Sequence, residues 1–549
     1  MPPRVLDVAV VGAGISGVYT AWRLKEERPD WNVALFEYSD RIGGRLYTRT
    51  LPGMPHVHAE LGGMRYNPAD HRMVANLVEF LDLPSRVFLM GDPNPAAGDP
   101  SGKPVGAANN LYYLRRKHIR LRDLNRPGEI PYAVSWIERG LDPDQLQEHV
   151  VKYLVPGHAN LTPDEWFAVK VFGRELYKHG FWDLLARVLS NEAYDFMKDA
   201  GGYDANVANA NAVSQLPVGE YGPEVRFLTL KDGYQKLPET IAGRFETAAR
   251  ASIHRNHRLA SIEKRNGSYR LRFRLTHEVT VNNWSAASAR RVHDRADEEP
   301  VDFNAKQIIL AMPRRSLELV EWAGWREPRV RELRESVLNQ AAFKLFLGYE
   351  YPWWRALGLY AGRSITDLPI RQVYYFGTEG EHAGADPANQ SSLLMASYND
   401  IGTVPFWKAT ENDDAFEGYR TPFVPGWAPP VDLGRQPATR GMVELAQNQL
   451  RELHGQATLP APYTALYHDW TDDPYGGGWH EWKAGVRYDQ VMPEIRKPVP
   501  DDEVYICGEA YSNNQGWVEG ALQTAEKLLE DHFQLRRPSW LPPDYDLSW

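Results

Sequence analysis

An apolar run that ends in three closely spaced glycines constrains this chain more than any other part of it. Val8-Ala-Val-Val11 leads directly into Gly12-Ala-Gly14-Ile-Ser16-Gly17, a second apolar run covers residues 32–36, and Glu37 follows it. The first run reads as a buried parallel strand. The glycines then supply a tight turn, close backbone approach to a pyrophosphate and close packing of the next helix. That helix is expected over residues 15–25, with Ser16 in the phosphate turn and exposed first-turn amides facing phosphate charge. Glu37 lies twenty residues beyond Gly17, where its carboxylate can accept both hydroxyls of an adenosine ribose and disfavour a 2'-phosphate. A lone glycine motif is weak, but here strand, glycines, helix, strand and acid occur in order. The chain is therefore expected to hold a dinucleotide by its phosphates. A second glycine segment, Arg41-Ile-Gly43-Gly44-Arg45, favours a flavin over a nicotinamide. Its paired glycines permit another close backbone approach, and its arginines can neutralise phosphate oxygens.

Length and charge narrow the remaining classes. The 549 residues allow about three to four structural units. With 62 basic and 72 acidic residues the formal charge is −10, so no polyanion is implied as a partner and nucleic acid is not expected. The basic run at 115–122 reads as a solvated face. Cys507 is the single cysteine, which excludes an intramolecular disulfide and a multi-cysteine metal site. His56, His58, His468 and His480 form no metal set with nearby acids, so no metal is expected, and Gly14-Ile-Ser16-Gly17 lacks the spacing of a hydrolase nucleophile elbow. The N-terminal residues carry no signal-like apolar core and no apolar stretch reaches bilayer length, so the expectation is a cytoplasmic protein with no membrane partner.

The predicted elements alternate between classes. Strand patterns fall at 252–262, 269–275, 307–311 and 503–509, with a helix at 518–533, and join residues 5–50 in one interrupted unit. Helical patterns at 75–81, 144–154, 163–178 and 181–198 indicate a helical insertion, and strand patterns at 341–350, 372–376 and 391–398 indicate a further sheet. Residues 422–437 read as a proline-rich loop, and the 540–549 tail has too many prolines for a helix. The expected fold class is thus α/β and α+β: an interrupted Rossmann-type FAD-binding domain, a mixed-sheet substrate domain and a helical insertion. Approximate boundaries are 1–50, 230–318 and 495–539 for the first, 51–120, 224–229 and 335–494 for the second, 121–223 for the third, and 540–549 for the tail.

Glu60-Leu-Gly62-Gly63-Met64-Arg65 places a guanidinium behind two glycines, where a loop can turn toward a flavin. Spacing alone leaves Arg65 open between clamping a substrate carboxylate in a bidentate grip and holding flavin phosphates or a neighbouring acid. The glycine-rich segments, this stretch, Thr366-Asp-Leu-Pro-Ile-Arg-Gln-Val-Tyr-Tyr375, Leu394-Met-Ala-Ser-Tyr398, Asp469-Trp470 and Cys507-Gly-Glu-Ala through Gly516-Trp517 together resemble the flavin amine oxidase family. Leu61 to Arg65 resembles the carboxylate-binding motif of its L-amino acid oxidases. The resemblance covers most of the chain and is poorest over the helical insertion. It implies an amine oxidase/glutathione reductase-like architecture and noncovalent FAD, with Cys507 as a core residue.

The same resemblance assigns roles by residue. Arg65 and Tyr398 would hold the substrate carboxylate, the Gly516 carbonyl would receive the substrate amine, and Trp517 would wall the site. Trp479 aligns with a side-chain pocket position, while Glu481 offers an acid for basic side chains. Lys344, the single charge in an apolar strand, needs a partner if buried. The family's lysine at that place holds a water near flavin N5 and is linked to oxygen reactivity, and that catalytic role is assigned here. Flavin contacts would include Gly43, Gly44, Arg45, Gly62, Gly63, Met64, Arg65, Leu259, Trp470, Glu509, Gly516 and Trp517, besides Gly12, Gly14, Ser16, Gly17, Glu37 and Arg41. The implied activity is oxidative deamination of L-amino acids of broad side-chain type, with O2 as acceptor, by a homodimer that releases a 2-oxo acid, ammonia and hydrogen peroxide. An amino-acid 2-monooxygenase and a noncatalytic amino-acid-sensing flavoprotein are the alternatives.

Overall fold

A computed structural model of the chain describes residues 5–90, 108–216, 226–278, 280–281, 284–285, 292–418 and 435–547. Leu6–Val11 is apolar at almost every position and buried on both sides, the pattern of a central parallel strand. It lies between Val33–Phe36 and Val301–Leu310 and runs parallel to both, with Val11 opposite Phe36 and Leu310. Ala251–His254 extends the sheet beyond Val33–Phe36, and Val504–Ile506 pairs in parallel with Val301–Leu310. Ser268–Glu278 and His257–Arg265 add an antiparallel part, with Glu321–Trp322 at its edge and Val292–Asp294 paired with Ser268–Glu278, to complete nine strands. Strands from three separated segments thus form one sheet, and its parallel strands point their carboxyl ends to one side. Ile15–Glu27, Lys236–Glu246 and Val518–Phe533 contribute Val18, Leu24, Ile241, Phe245, Leu522 and Leu529 to a common core against this sheet.

The strand expected over 252–262 is two strands. Asn256 turns the chain at φ 60°, a conformation asparagine tolerates well, and Ala251–His254 and His257–Arg265 then lie toward opposite ends of the sheet.

A second, seven-stranded sheet runs in the order Thr464–Asp469, Ala342–Tyr349, Ser392–Asp400, Gln372–Thr378, Gly362–Thr366, Leu111–Leu114 and Lys117–Arg120. Every residue of Ala342–Tyr349 is buried because both faces are covered. Phe343, Leu345 and Leu347 pack with Met442, Ala446 and Leu450 of the helix Arg440–His454. Ala342 and Phe346 face the other way, toward Met54, Leu61 and Met64. Alternation puts Lys344 on this second face, toward the first sheet.

The helical part departs from its expected outline at two places. Instead of one helix over 163–178, Pro163–Ala168 ends before the hairpin Lys170–Val171 and Arg174–Glu175. Phe172 and Gly173, at φ 48° and 78°, form its turn, a local signal stronger than the helical period. The pattern at 181–198 divides into Phe181–Val188 and Asn191–Gly201, because Ser190 caps the second helix by accepting from the Ala193 amide at 3.2 Å. The basic run at 115–122 lies at a hairpin where Arg115 pairs with Glu192 and Asp195, and Lys117 with Glu129. The loop expected over 422–437 lies mostly outside the described residues; its end, Pro437, belongs to the strand Arg435–Thr439.

Candidate active site

The turn after Leu6–Val11 is closed so tightly that side chains cannot enter it. Gly12 adopts φ 101°, and a Cβ there would stand 2.4 Å from the Ala311 carbonyl oxygen; on Gly17 it would stand 1.7 Å from the Gly12 oxygen. Gly14 caps Ile15–Glu27 with no side-chain hydrogen bond, which leaves first-turn amides for a ligand. Gly14 also bridges to Gly43, and a Cβ on Gly44 would lie 3.0 Å from the Gly14 α-carbon. The Glu37 carboxylate is fixed at the mouth of this turn by the Ala13 amide at 2.8 Å and by the Ser39 amide and hydroxyl at 3.0 and 2.9 Å. Two glycine segments meeting over an uncapped helix, with an acid at the next strand end, fit a dinucleotide.

One cleft extends from this cradle to the second sheet. Gly12, Gly14, Ser16, Glu37, Gly43, Gly44, Arg45, Gly62, Gly63 and Leu259 line it, and so do Lys344, Tyr398, Trp470, Trp479, Glu509, Gly516 and Trp517. Gly17, Arg41, Met64 and Arg65 are absent from its wall. Arg41 instead stacks over Tyr47 at 3.9 Å and donates to the Tyr475 hydroxyl at 3.0 Å. Arg45 lines the cleft while its Nη1 pairs with Glu509 at 2.7 Å and donates to the Gly478 carbonyl at 3.0 Å. Glu509 also accepts from the His480 amide at 3.0 Å and the Gly516 amide at 2.7 Å, and meets His480 Nδ1 at 2.8 Å. Burial pushes this carboxyl up, but Arg45 and His480 outweigh it and hold the group well below the usual carboxylate range.

Lys344 is buried between its own sheet and the segment running from Glu60 to Met64. Its Nζ donates to the Glu60 and Gly62 carbonyls at 3.0 and 2.6 Å and lies 4.5 Å from the Tyr398 ring centroid. Tyr398 and His468 are its cross-strand neighbours. Burial brings its amine down to about 7, with Glu60 opposing the shift and Arg65 adding to it. The Gly62 carbonyl reaches Lys344 because the segment hugs its surroundings: a Cβ on Gly62 would lie 1.9 Å from the Arg45 oxygen and 3.1 Å from Trp470. Trp470 Nε1 holds the same segment through the Leu61 carbonyl at 2.9 Å.

Arg65 lies buried behind this wall, its Cζ 4.4 Å from the Phe227 ring centroid and 5.4 Å from that of Phe88. Its Nη1 donates to the Tyr374 hydroxyl at 3.4 Å. Burial pushes Tyr374 up, but Arg65 and Arg363 together bring its phenol below the ordinary value. Tyr203, from the helical part, stands edge-on to Tyr398 at 5.2 Å and completes a tyrosine cluster. Trp517 stacks on Phe227 at 6.3 Å and leans on His71 at 4.3 Å, which ties the arginine's surroundings to the cleft wall.

Glu481 is buried against Gln340, pushed up to about 8 by burial, and does not line the cleft. Among the histidines considered for metal binding, His480 is committed to Glu509, His56 lies 2.5 Å from Glu379, and His468 is buried edge-on to Trp470. Among the described residues Glu411, Asp469 and Asp472 converge, but the Lys408 ammonium sits 3.2 and 3.0 Å from the two aspartates. Sequence reasoning missed Tyr374, Tyr203, Phe88, Phe227 and His480. Tyr374 alone carried a signal, as part of the Thr366 to Tyr375 match.

An interrupted parallel nucleotide-binding sheet, joined through a glycine-lined cleft to a sheet that buries a lysine at its far end, defines a flavoprotein of the amine-oxidising type. Residues 15–527 match the family described as flavin containing amine oxidoreductase, and the chain belongs to it. It is similar to Aplysianin-A of Aplysia kurodai, 31% identical over 97% of this chain and 91% of that one. An L-amino-acid oxidase of Bothrops moojeni is 25% identical, over 95% and 88%. Among solved structures, putrescine oxidase bound to putrescine superposes with a TM-score of 0.65 at 16% identity, over 97% of this chain and 100% of that one. That likeness is one of fold. No helix among the described residues is long and apolar enough to cross a membrane.

Proposed function

We propose that the protein binds FAD noncovalently and oxidises L-amino acids of broad side-chain type to 2-oxo acids, releasing ammonia and hydrogen peroxide. One observation carries this reading: a buried guanidinium, Arg65, packed among aromatic rings 3.4 Å from a tyrosine hydroxyl, directly behind a wall formed by Trp517 and Tyr398. A buried cation at that place attracts a carboxylate and opposes the second ammonium of a diamine. The likeness to an L-amino-acid oxidase supports the same substrate class.

Flavin, when bound, supplies the two-electron chemistry at the substrate α-carbon and passes the electrons to O2. The chain's own residues bind, orient and exclude water. Arg65 takes the carboxylate, with Tyr374 and Tyr398 donating beside it. The Gly516 peptide, fixed by its amide donation to Glu509, presents its carbonyl to the amine. Trp479 and Trp517 exclude water around the α-carbon and contact the side chain. Lys344, with its amine near neutrality at about 7, keeps two protons on the Glu60 and Gly62 carbonyls and can turn a lone pair toward a water in the cleft. Cys507 is unsuited to flavin attachment, because it is buried beside Thr20, pushed up to about 12 by burial, and outside the cleft wall.

Anaerobic mixing of the holoenzyme with L- and D-amino acids tests the reading. Bleaching by several L-forms, with ammonia and a 2-oxo acid on admission of air, is expected. No bleaching by any L-amino acid, or an amide as the product, would overturn it. Homodimeric assembly is part of the proposal, and the mass of the protein in solution checks it.

A further inference from the structure

Phe88 and Tyr374, which pack against Arg65, also line a second cavity of about 270 Å³ that shares no lining residue with the dinucleotide cleft. Two arginines face it in different electrostatic states. Arg355 is neutralised, its Nη1 and Nη2 lying 2.5 and 2.7 Å from the two oxygens of Glu381. Arg86, on the strand Ser85–Val87, has no carboxylate within 4.0 Å among the described residues, its Nε has no hydrogen-bond partner, and Nη1 reaches only His382 Nδ1, at 3.4 Å. The carboxylate of Glu60, also in the wall, is already engaged by the Thr48 hydroxyl at 2.7 Å and the Tyr234 amide at 2.8 Å.

Glu60 acts on Arg86 from a distance, but a guanidinium in a cavity with no carboxylate in contact still suits an anion. Its planar fork matches a carboxylate, and the nearby acids Glu60 and Glu381 disfavour a dianion such as phosphate. Burial, with Arg86 adding to it, keeps His58, in the wall, and His382, against Arg86, below their ordinary value, so neither adds a positive charge there. Val87, Phe88, Leu89 and Phe376 offer apolar surface for the remainder of the ligand.

We propose that this cavity is a second site for small organic carboxylates, anchored by Arg86 and adjoining the place where Arg65 receives the substrate. Its use in turnover rests on the oxidase reading above, because the amino acid arriving and the 2-oxo acid leaving share this one group. The test is calorimetric titration of the holoenzyme with benzoate, which has no oxidisable α-carbon. Two sites are expected. Arg86→Gln should weaken one at least tenfold and keep the other, Arg86→Lys should restore it in part, and Arg65→Ala should do the reverse, with flavin absorbance reporting an intact fold. A single benzoate site that Arg86→Gln leaves intact, or two sites insensitive to Arg86→Gln, would overturn the proposal. Loss of the Arg65-dependent site alone from this pattern would count against the oxidase reading and leave Arg86 standing. During turnover, a fall in kcat/KM in Arg86→Gln identifies the amino acid as occupant, and a loss of inhibition by 4-methyl-2-oxopentanoate identifies the 2-oxo acid.

Discussion

The two ends of the cleft are built from different materials. At the nucleotide end, backbone would do the binding: glycines at 12, 17, 43 and 44 bring main-chain atoms so close that a side chain has little or no room. At the proposed substrate end, side chains would do it: Tyr398, Lys344, Trp479 and Trp517 line the cleft with Arg65 and Tyr374 packed behind them, and they arrive from separate strands and loops. Backbone recognition is rigid and tolerates no added atom. Side-chain recognition is graded, so substitutions there should change rate and selectivity while the cofactor stays in place.

The largest effect is expected at the glycine end. Gly17→Val places branched carbon where 1.7 Å separates a Cβ from the Gly12 oxygen, and the purified protein should show no bound flavin near 450 nm. Retained flavin would erase the contrast. Next comes Arg65→Ala, for which loss of a buried, charge-assisted carboxylate grip predicts a fall in kcat/KM of about 10²–10³-fold with the flavin retained. Stopped-flow bleaching measures it. Tyr374→Phe removes one hydroxyl and should cost about tenfold, most of it in KM, as initial rates against substrate concentration would show.

The smallest effect lies in stability. Because the Lys344 amine is held near 7 in the folded chain against 10.5 ordinarily, the unfolded chain binds more protons between these values. Wild-type stability should therefore rise with pH across that window. Glu60, raised from 4.5 to about 7, acts below it and with the opposite sign, so the two are separable. Scanning calorimetry from pH 7 to 10 should find the Tm of wild type gaining on that of Lys344→Met; parallel curves would deny that Lys344 titrates in this range.

The same contrast explains what the sequence revealed. Val8 to Glu37 is one contiguous stretch whose backbone geometry is written in its glycines, so the cradle is legible in the order of residues alone. Lys344 is visible as one charge in an apolar strand. Tyr203 and Phe227 are not, because Tyr203 meets Tyr398 and Phe227 meets Arg65 only through contacts between distant segments, and no local spacing encodes those meetings. The Arg45 pair with Glu509 is hidden for a related reason: the two lie hundreds of residues apart. Helix 163–178 fails differently, since a two-residue turn at Phe172 and Gly173 overrides the apolar period.

In the proposed function, substrate choice rests above all on Arg65 selecting a carboxylate. Anaerobic flavin reduction by an L-amino acid should be compared with reduction by the amine that remains when its carboxyl group is removed, for example L-leucine against isoamylamine, in wild type and Arg65→Ala. Rapid bleaching of wild type by the amino acid alone is predicted, with loss of that preference in the variant. Equal bleaching of wild type by both, or a preference unchanged by removing Arg65, would contradict the assigned role.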